Sequence, residues 1–428
     1  MNFSILHKSL FKETFIYTAT DMIGKAMSFV LLPFLSFYLP PTELGIATNF
    51  TVLTSLVILL AGLAIVNSLP YFFYEQSSEE NTLLVSNLII MCTVLCILMS
   101  GLFLIIHHLV TQYLQLNIYI QLLSIIFVFG SLLSQISLII MRLENDAKSF
   151  AYLQIIQIVL HAVVVVLFVI FLKGGGIGKI YAEVLVFVMV GLAHFCILWR
   201  KRYIRFSIDL KWIKKLLRFG VPLLPHSISF WFKSGTDKIF ITTFCGLQAN
   251  GLYSMALSIS SLFTMLTNSF FNAYTPYLQK RLVQIESDGL FSEKKKIVKQ
   301  IYLIYSAFFL VGILAVVGSW LIFKYMIDIK YMPAFKYMPY IILAYFIYTF
   351  YNFAIQFIYK MKKTLIMGVI TFTGSLLQMF FSYWFIKYCG LIGAVYSLLI
   401  GNLIITIGIV IYSNSVYKMP WIKFYANE

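Results

Sequence analysis

The 428 residues are 61% hydrophobic, 17% aromatic and only 11% charged. With a mean hydropathy of +0.90, the chain has too little polar surface to enclose a soluble domain. Its net charge of +16 would suggest a nucleic-acid partner in a soluble protein. Here the basic residues are spaced between apolar runs as the positive-inside rule places them, so no nucleic-acid partner is expected. Cys92, Cys96, Cys196, Cys245 and Cys389 are odd in number, lie in or beside apolar runs and form no CxxC pair. They point to neither a disulfide framework nor a zinc site and read as small buried hydrophobes.

About twelve runs have the roughly 20-residue length that crosses a hydrocarbon core. In chain order they are 13–38, 44–73, 83–107, 118–141, 152–172, 177–199, 219–243, 249–277, 300–326, 336–358, 364–386 and 391–416. Alternate connections carry 23 of the 32 basic residues and the opposite set carries 6, which places both termini in the cytoplasm. The first run follows basic residues as a signal peptide would. It is too long, contains Asp21 and Lys25, and has no small-residue cleavage site, so an uncleaved signal anchor is expected.

Between the sixth and seventh runs lies the most basic connection, residues 200–218. Leu210, Ile213 and Leu217 recur there at helical spacing among Lys211, Lys214, Lys215 and Arg218, the pattern of an amphipathic helix in the membrane interface. It reads as an elbow between an N-terminal six-helix half, 1–199, and a C-terminal half, 219–428. Internal similarity agrees with this division. LGIATNFTVLTSL from Leu44 matches NGLYSMALSISSL from Asn250 at a shift of 206, and Gly178 and Tyr181 match Gly393 and Tyr396 at a shift of 215. Two six-span repeats of like orientation imply an all-α polytopic transporter that alternates access around a central cavity.

Charges inside spans are costly, roughly 2.5–3.5 kcal/mol at the centre on insertion scales. Asp21 and Lys25 stand four apart on the first run, and Lys233 and Asp237 four apart on the seventh. Each pair can close an ion pair along its own helix and merely neutralise itself. Alternatively, Lys25 and Lys233, with Lys238 as a further cation lacking a partner on its own helix, line the cavity. Glu183, one turn after Lys179, is a third intramembrane carboxylate beside Asp21 and Asp237. These three are the candidate ion-coupling residues, because a carboxylate in a site that alternates between wet and closed can change protonation. His161, His194 and His226 lie in apolar runs and are expected to be satisfied core residues rather than proton relays. Asn67, Asn268, Asn272 and Gln356 read as interhelical hydrogen bonders. No catalytic motif, metal cluster, ATP site or cofactor fingerprint is present, so no enzyme activity, metal or cofactor is expected.

The opening FKETFIYTATDMIGKAMSFVLLPFLSFYLPPTELGI resembles the start of Wzx-type polysaccharide flippases of the MOP superfamily. The stretch VPLLPHSISFWFKSGTDKIFITTFCGLQANGLYSMALSIS resembles that family too. There a Pro-initiated helix carries a mid-membrane Asp and a basic residue, then a turn and Gly-Leu-Tyr, here Pro222, Asp237, Lys238 and Gly251-Leu252-Tyr253. Many relatives also carry an Arg near the end of the second span, where this chain has no cation between Asn67 and Glu75.

The resemblance implies movement of undecaprenyl-pyrophosphate-linked oligosaccharide repeat units to the outer leaflet of a bacterial inner membrane, for O-antigen or capsule. Lys25, Lys233 and Lys238 would be the substrate-binding cations for the anionic head group. The implied partners are the lipid-linked oligosaccharide, membrane lipids, and the polymerase and chain-length regulator of the same pathway. A multidrug or cation antiporter of the superfamily is the alternative, and a membrane polymerase or ligase a more distant one.

Overall fold

The computed structural model describes residues 3–288 and 291–421, and every regular element among them is helical. The chain divides into two compact units, Met1–Trp231 and Phe232–Glu428. The first contains α1 (Phe3–Tyr38), α2 (Pro41–Gly62), the short α3 (Leu69–Phe72), α4 (Ser78–Leu114), α5 (Ile118–Leu143), α6 (Ala147–Val166), α7 (Gly175–Arg200) and α8 (Leu210–Gly220). The long α9 (Leu224–Asp288) crosses the boundary between units. It is followed by α10 (Phe291–Tyr325), α11 (Met338–Lys360), α12 (Thr364–Cys389) and α13 (Leu391–Val416).

Among the described residues, ten helices are long and apolar enough to cross a membrane. The two expected spans outside that set are the arms of α9, which meet at Gly246, where φ 84 and ψ 172 break the helix. Their shortfall is one of composition: the first arm carries Lys233, Asp237 and Lys238, and the second is rich in Ser, Thr and Asn. The chain is therefore a multi-pass membrane protein, and the two expected spans outside that set are consecutive.

Local signals set most helix ends. Ser77 and Glu80 form a reciprocal capping box at the start of α4, and Asn117 and Asp146 accept backbone N–H groups at the starts of α5 and α6, satisfying donors that helices leave unpaired. One boundary departs from the expectation. The second span was expected to continue to residue 73, but α2 stops at Gly62, where Leu63 and Ala64 both adopt left-handed backbone, φ 42 and φ 55. The chain then passes through short turns to α4.

Inside the first unit α5 and α7 approach closely. A Cβ on Gly130 would lie 2.2 Å from the Phe187 carbonyl oxygen, and one on Gly191 would lie 2.6 Å from the Gly130 Cα. Small residues let membrane helices meet backbone to backbone, where dispersion replaces the missing hydrophobic force. In the second unit, α13 donates to carbonyls of α11: Asn402 to Ala344 at 3.0 Å, Thr406 to Ile347 at 3.5 Å and Ser413 to Ala354 at 2.9 Å.

The repeat spacing reappears in backbone geometry. Gly175 at the start of α7 has φ 61, and Gly390 just before α13 has φ 68, at the same shift of 215 that relates Gly178 to Gly393. Such φ values favour glycine because it has no Cβ.

Candidate functional site

In the first unit Asp21 does not pair with Lys25. Its carboxylate accepts from Arg142 Nη2 at 3.2 Å and from Gln154 Nε2 at 3.0 Å. Arg142 occupies the last turn of α5 and Gln154 the second turn of α6. Asp21 is thus level with the α5–α6 turn. The Arg142 guanidinium also lies over the Phe150 ring at 4.5 Å and near Tyr17 at 5.7 Å, so the pair is braced by aromatic surface although both side chains are over 40% exposed. An ion partner from another helix wins here because Arg142 presents a planar fork that Lys25 lacks. Lys25 is exposed and has no ion pair among the described residues.

The same end of the unit holds a second ionic group. Lys201 Nζ lies 2.5 Å from Glu144 and 3.9 Å from Asp146, and Tyr203 donates to Glu144 at 2.7 Å. The carboxyl of Asp146 is held below its usual range, first by the Ser149 hydrogen bond.

Glu183 does pair with Lys179 along α7, and both side chains are largely buried. His161 of α6 lies within their electrostatic reach. The expectation of satisfied histidines fails at His194, which is 1% exposed and has no hydrogen-bond partner for either ring nitrogen among the described residues.

A fourth acid, Glu43 of α2, lies near the end of the opening stretch that carries the resemblance. Its Oε2 accepts from Gly176 N–H at 2.9 Å, placing an anion on the positive end of α7. A Cβ on Gly176 would lie 2.3 Å from the Glu43 carbonyl, so glycine is what admits α2 to this helix end.

In the second unit Lys233 and Asp237 do not form the expected pair either. Lys233 Nζ sits 3.7 Å from the centre of the Tyr348 ring, and Tyr348 stacks on Tyr351 at 4.6 Å with 13° between planes. The ammonium is thus seated on an aromatic face, where the ring quadrupole replaces a carboxylate. Gln378 of α12 donates to the Lys233 carbonyl at 3.3 Å.

Asp237, 4% exposed, accepts from the Tyr253 hydroxyl at 2.8 Å and from the Lys238 N–H at 2.8 Å. Lys238 is not partnerless as expected. Its Nζ donates to the Ser234 carbonyl one turn back and lies 3.9 Å from Asp237.

Tyr253 is seven residues beyond Gly246 and Asp237 nine before it, so their bond, with Asn250 to Thr242 at 3.0 Å, shows that the chain reverses at Gly246 and folds its two arms together. The Asp–Lys and Gly-Leu-Tyr signatures are therefore two ends of one contact. Sequence reading singled out each signature and missed the pairing. Their nearness to Gly246 on either side was the available signal. Gln356, expected between helices, accepts at its side chain from Gln279 at 3.2 Å.

Residues 10–282 match the family model of polysaccharide biosynthesis proteins, which covers well over half of the chain. The fold and these intramembrane charges define a polytopic, all-helical membrane protein. The protein belongs to the polysaccharide biosynthesis protein family, which bears out the likeness to polysaccharide flippases.

Among its relatives in Haemophilus influenzae, a protein of the Lsg locus is 25% identical over 297 residues, 68% of this chain and 69% of the relative. A membrane protein of that organism is 24% identical over 284 residues, 64% of this chain and 67% of the relative. The fold is similar to that of a multidrug resistance MATE family transporter of the MOP superfamily, with TM-score 0.71, 18% identity, and 94% of this chain and 97% of that one covered. It is also similar to that of the lipid II flippase MurJ, with TM-score 0.70, 13% identity, and 94% and 87% covered.

Proposed function

We propose that this protein is a flippase that moves undecaprenyl-pyrophosphate-linked oligosaccharide repeat units from the inner to the outer leaflet of a bacterial inner membrane by alternating access, with both termini cytoplasmic, for O-antigen or capsule. The observation that carries the reading is the fate of the two lysines. Asp21 is taken by Arg142 and Gln154, and Asp237 by Tyr253 and the Lys238 N–H. Lys25 and Lys233 therefore keep their charge free of carboxylates among the described residues, and self-neutralisation does not explain why they are there. An unneutralised cation in an apolar span is suited to a mobile anion, and a pyrophosphate head group is one. The lipid tail stays in the bilayer throughout.

The family match and the fold shared with a lipid II flippase support the same class of substrate. Lys238, held by its own helix, is assigned the supporting share of the site. Of the coupling candidates, Asp21 and Glu183 each face a cation, whereas Asp237 is bonded mainly by neutral donors. We assign Asp237 the role of coupling carboxylate.

The test is reconstitution of the full chain in vesicles containing the lipid-linked oligosaccharide, with leaflet exposure read by a membrane-impermeant glycosidase. Movement is expected with the native chain and is reduced in Lys233→Gln. Efflux of cationic drugs with no lipid movement would assign the protein to the antiporter class instead.

A further inference from the structure

Residues 200–218 carry a feature that substrate movement does not use. The irregular segment after α7 is pinned along one edge to α4. Thr82 donates to the Arg202 carbonyl at 3.0 Å, Ser86 accepts from Arg205 N–H at 2.8 Å, and Asn87 bonds both the Ser207 carbonyl at 3.2 Å and the Asp209 N–H at 2.9 Å. Ser86 and Asn87 are buried, so the edge is fixed.

Pinning positions 205, 207 and 209 leaves the side chains between and after them free to face outward. Phe206, Ile208 and Leu210 accordingly stand 76%, 68% and 76% exposed, a comb of three large apolar groups. The helix that follows turns Trp212, Leu216 and Gly220 inward and leaves Lys211, Lys214, Lys215, Leu217 and Arg218 exposed.

The charges around the comb are unusually free. Lys201 is engaged by Glu144 and Asp146, and Lys215 lies over the Phe72 and Trp212 rings at 4.4 and 4.6 Å. Arg200, Arg202, Arg205, Lys211, Lys214 and Arg218 are exposed and have no ion pair among the described residues. Asp209, the one carboxylate in the segment, is occupied in accepting from Lys211 N–H at 2.8 Å.

We propose that this strap is a docking site for acidic phospholipid, with the comb entering the acyl boundary and Arg205, Lys211, Lys214 and Arg218 holding the headgroup phosphates. Apolar groups flanked by cations are the chemistry of an anionic membrane interface. The rigid edge presents both without the ordering cost of a flexible tail. The site lies outside the intramembrane lysines, so it stands or falls independently of the proposed substrate.

The test places a fluorophore on Ile208→Cys in a full-length chain whose five native cysteines are replaced by Ser, reconstituted in phosphatidylcholine vesicles. Headgroup spin-labelled phosphatidylglycerol or phosphatidylcholine is then titrated in as quencher. Phosphatidylglycerol is expected to quench at several-fold lower mole fraction, with the preference shrinking as salt rises.

Each cation near an acidic surface strengthens association by about fivefold. Arg205→Gln, Lys211→Gln, Lys214→Gln and Arg218→Gln together should therefore weaken the preference tenfold or more. An equal number of charges removed elsewhere, by Lys280→Gln, Lys299→Gln, Lys362→Gln and Lys363→Gln, should leave it intact. Equal quenching by both lipids, or a preference that survives the first set of substitutions, would overturn the proposal. So would relief of quenching by soluble pyrophosphate, which would assign the cations to a free anion.

Discussion

In each unit a pair of membrane helices packs closely together, and the two units achieve this differently. In the first, α5 and α7 meet through Gly130 and Gly191, with Phe127 and Phe187 rings 4.5 Å apart beside them. In the second, α11 and α13 are joined by Asn402, Thr406 and Ser413, each donating to a carbonyl of the facing helix.

Lipid gives apolar side chains no reason to leave it, so membrane helices associate either by close backbone approach or by hydrogen bonds. Each solution fails in its own way. A glycine contact has no room for any added atom, whereas a ladder of bonds can lose one rung and keep the rest.

The largest effect is therefore expected at the glycine contact. Gly191→Leu drives a side chain into the Gly130 backbone, and overpacking of this kind costs about 1–3 kcal/mol or more. Loss of most folded protein on fluorescence-detected size exclusion is the expected result. Near-normal yield and melting temperature would mean that α5 and α7 can separate freely.

Next is Tyr253→Phe, which leaves the buried Asp237 without its hydroxyl donor. A bond to a charged group is worth about 1.5–3 kcal/mol. A drop of several degrees in melting temperature is expected, and Asp237→Asn in the same background should recover part of it, because the charge no longer needs solvating.

Lys233→Gln sharpens the contrast between stability and function. The fold should keep its stability within about 1–2 kcal/mol, since only a cation–π contact is lost. Lipid-linked oligosaccharide movement should fall about tenfold, the loss of one charge-assisted contact. If both properties change in parallel, the lysine is structural.

Asn402→Leu removes one rung and should cost about 0.6–1.7 kcal/mol, the range of hydrogen bonds between membrane helices. A loss as large as that of Gly191→Leu would erase the distinction drawn between the units.

Acid titration should have the smallest effect. Asp146 has a depressed pKa, so its stabilising contribution is present above the ordinary carboxylate value near ~3.9 and is lost as pH falls through the lower folded value. Asp146→Asn should flatten only that part of the melting curve against pH.

How much of this was legible in the sequence depends on the range of the interaction. The run 391–416 coincides with α13, and 364–386 stops three residues short of the end of α12, because turns and Gly390 punctuate them locally. The early end of α2 was hidden, since the apolar run continues to residue 73 and neither Leu63 nor Ala64 belongs to a type that signals left-handed backbone. The charged residues themselves were visible. Their partners were not, because spacing within one helix offered Lys25 to Asp21, and only the rotation of α5 and α6 brings Arg142 and Gln154 there instead.

The reversal at Gly246 bears on how this chain enters a bilayer during synthesis. An arm holding Lys233, Asp237 and Lys238 is a poor candidate for release into lipid alone, since each charge at the centre of a lone helix costs about 2.5–3.5 kcal/mol. The second arm brings what the first lacks: Tyr253 for Asp237 and Asn250 for Thr242. The tight turn makes both available soon after, since Tyr253 follows Asp237 by 16 residues and Asn250 follows Thr242 by 8. The two arms should therefore leave the insertion machinery together as a preformed hairpin, and the timing of that release is written into the distance between Asp237 and Tyr253 along the chain.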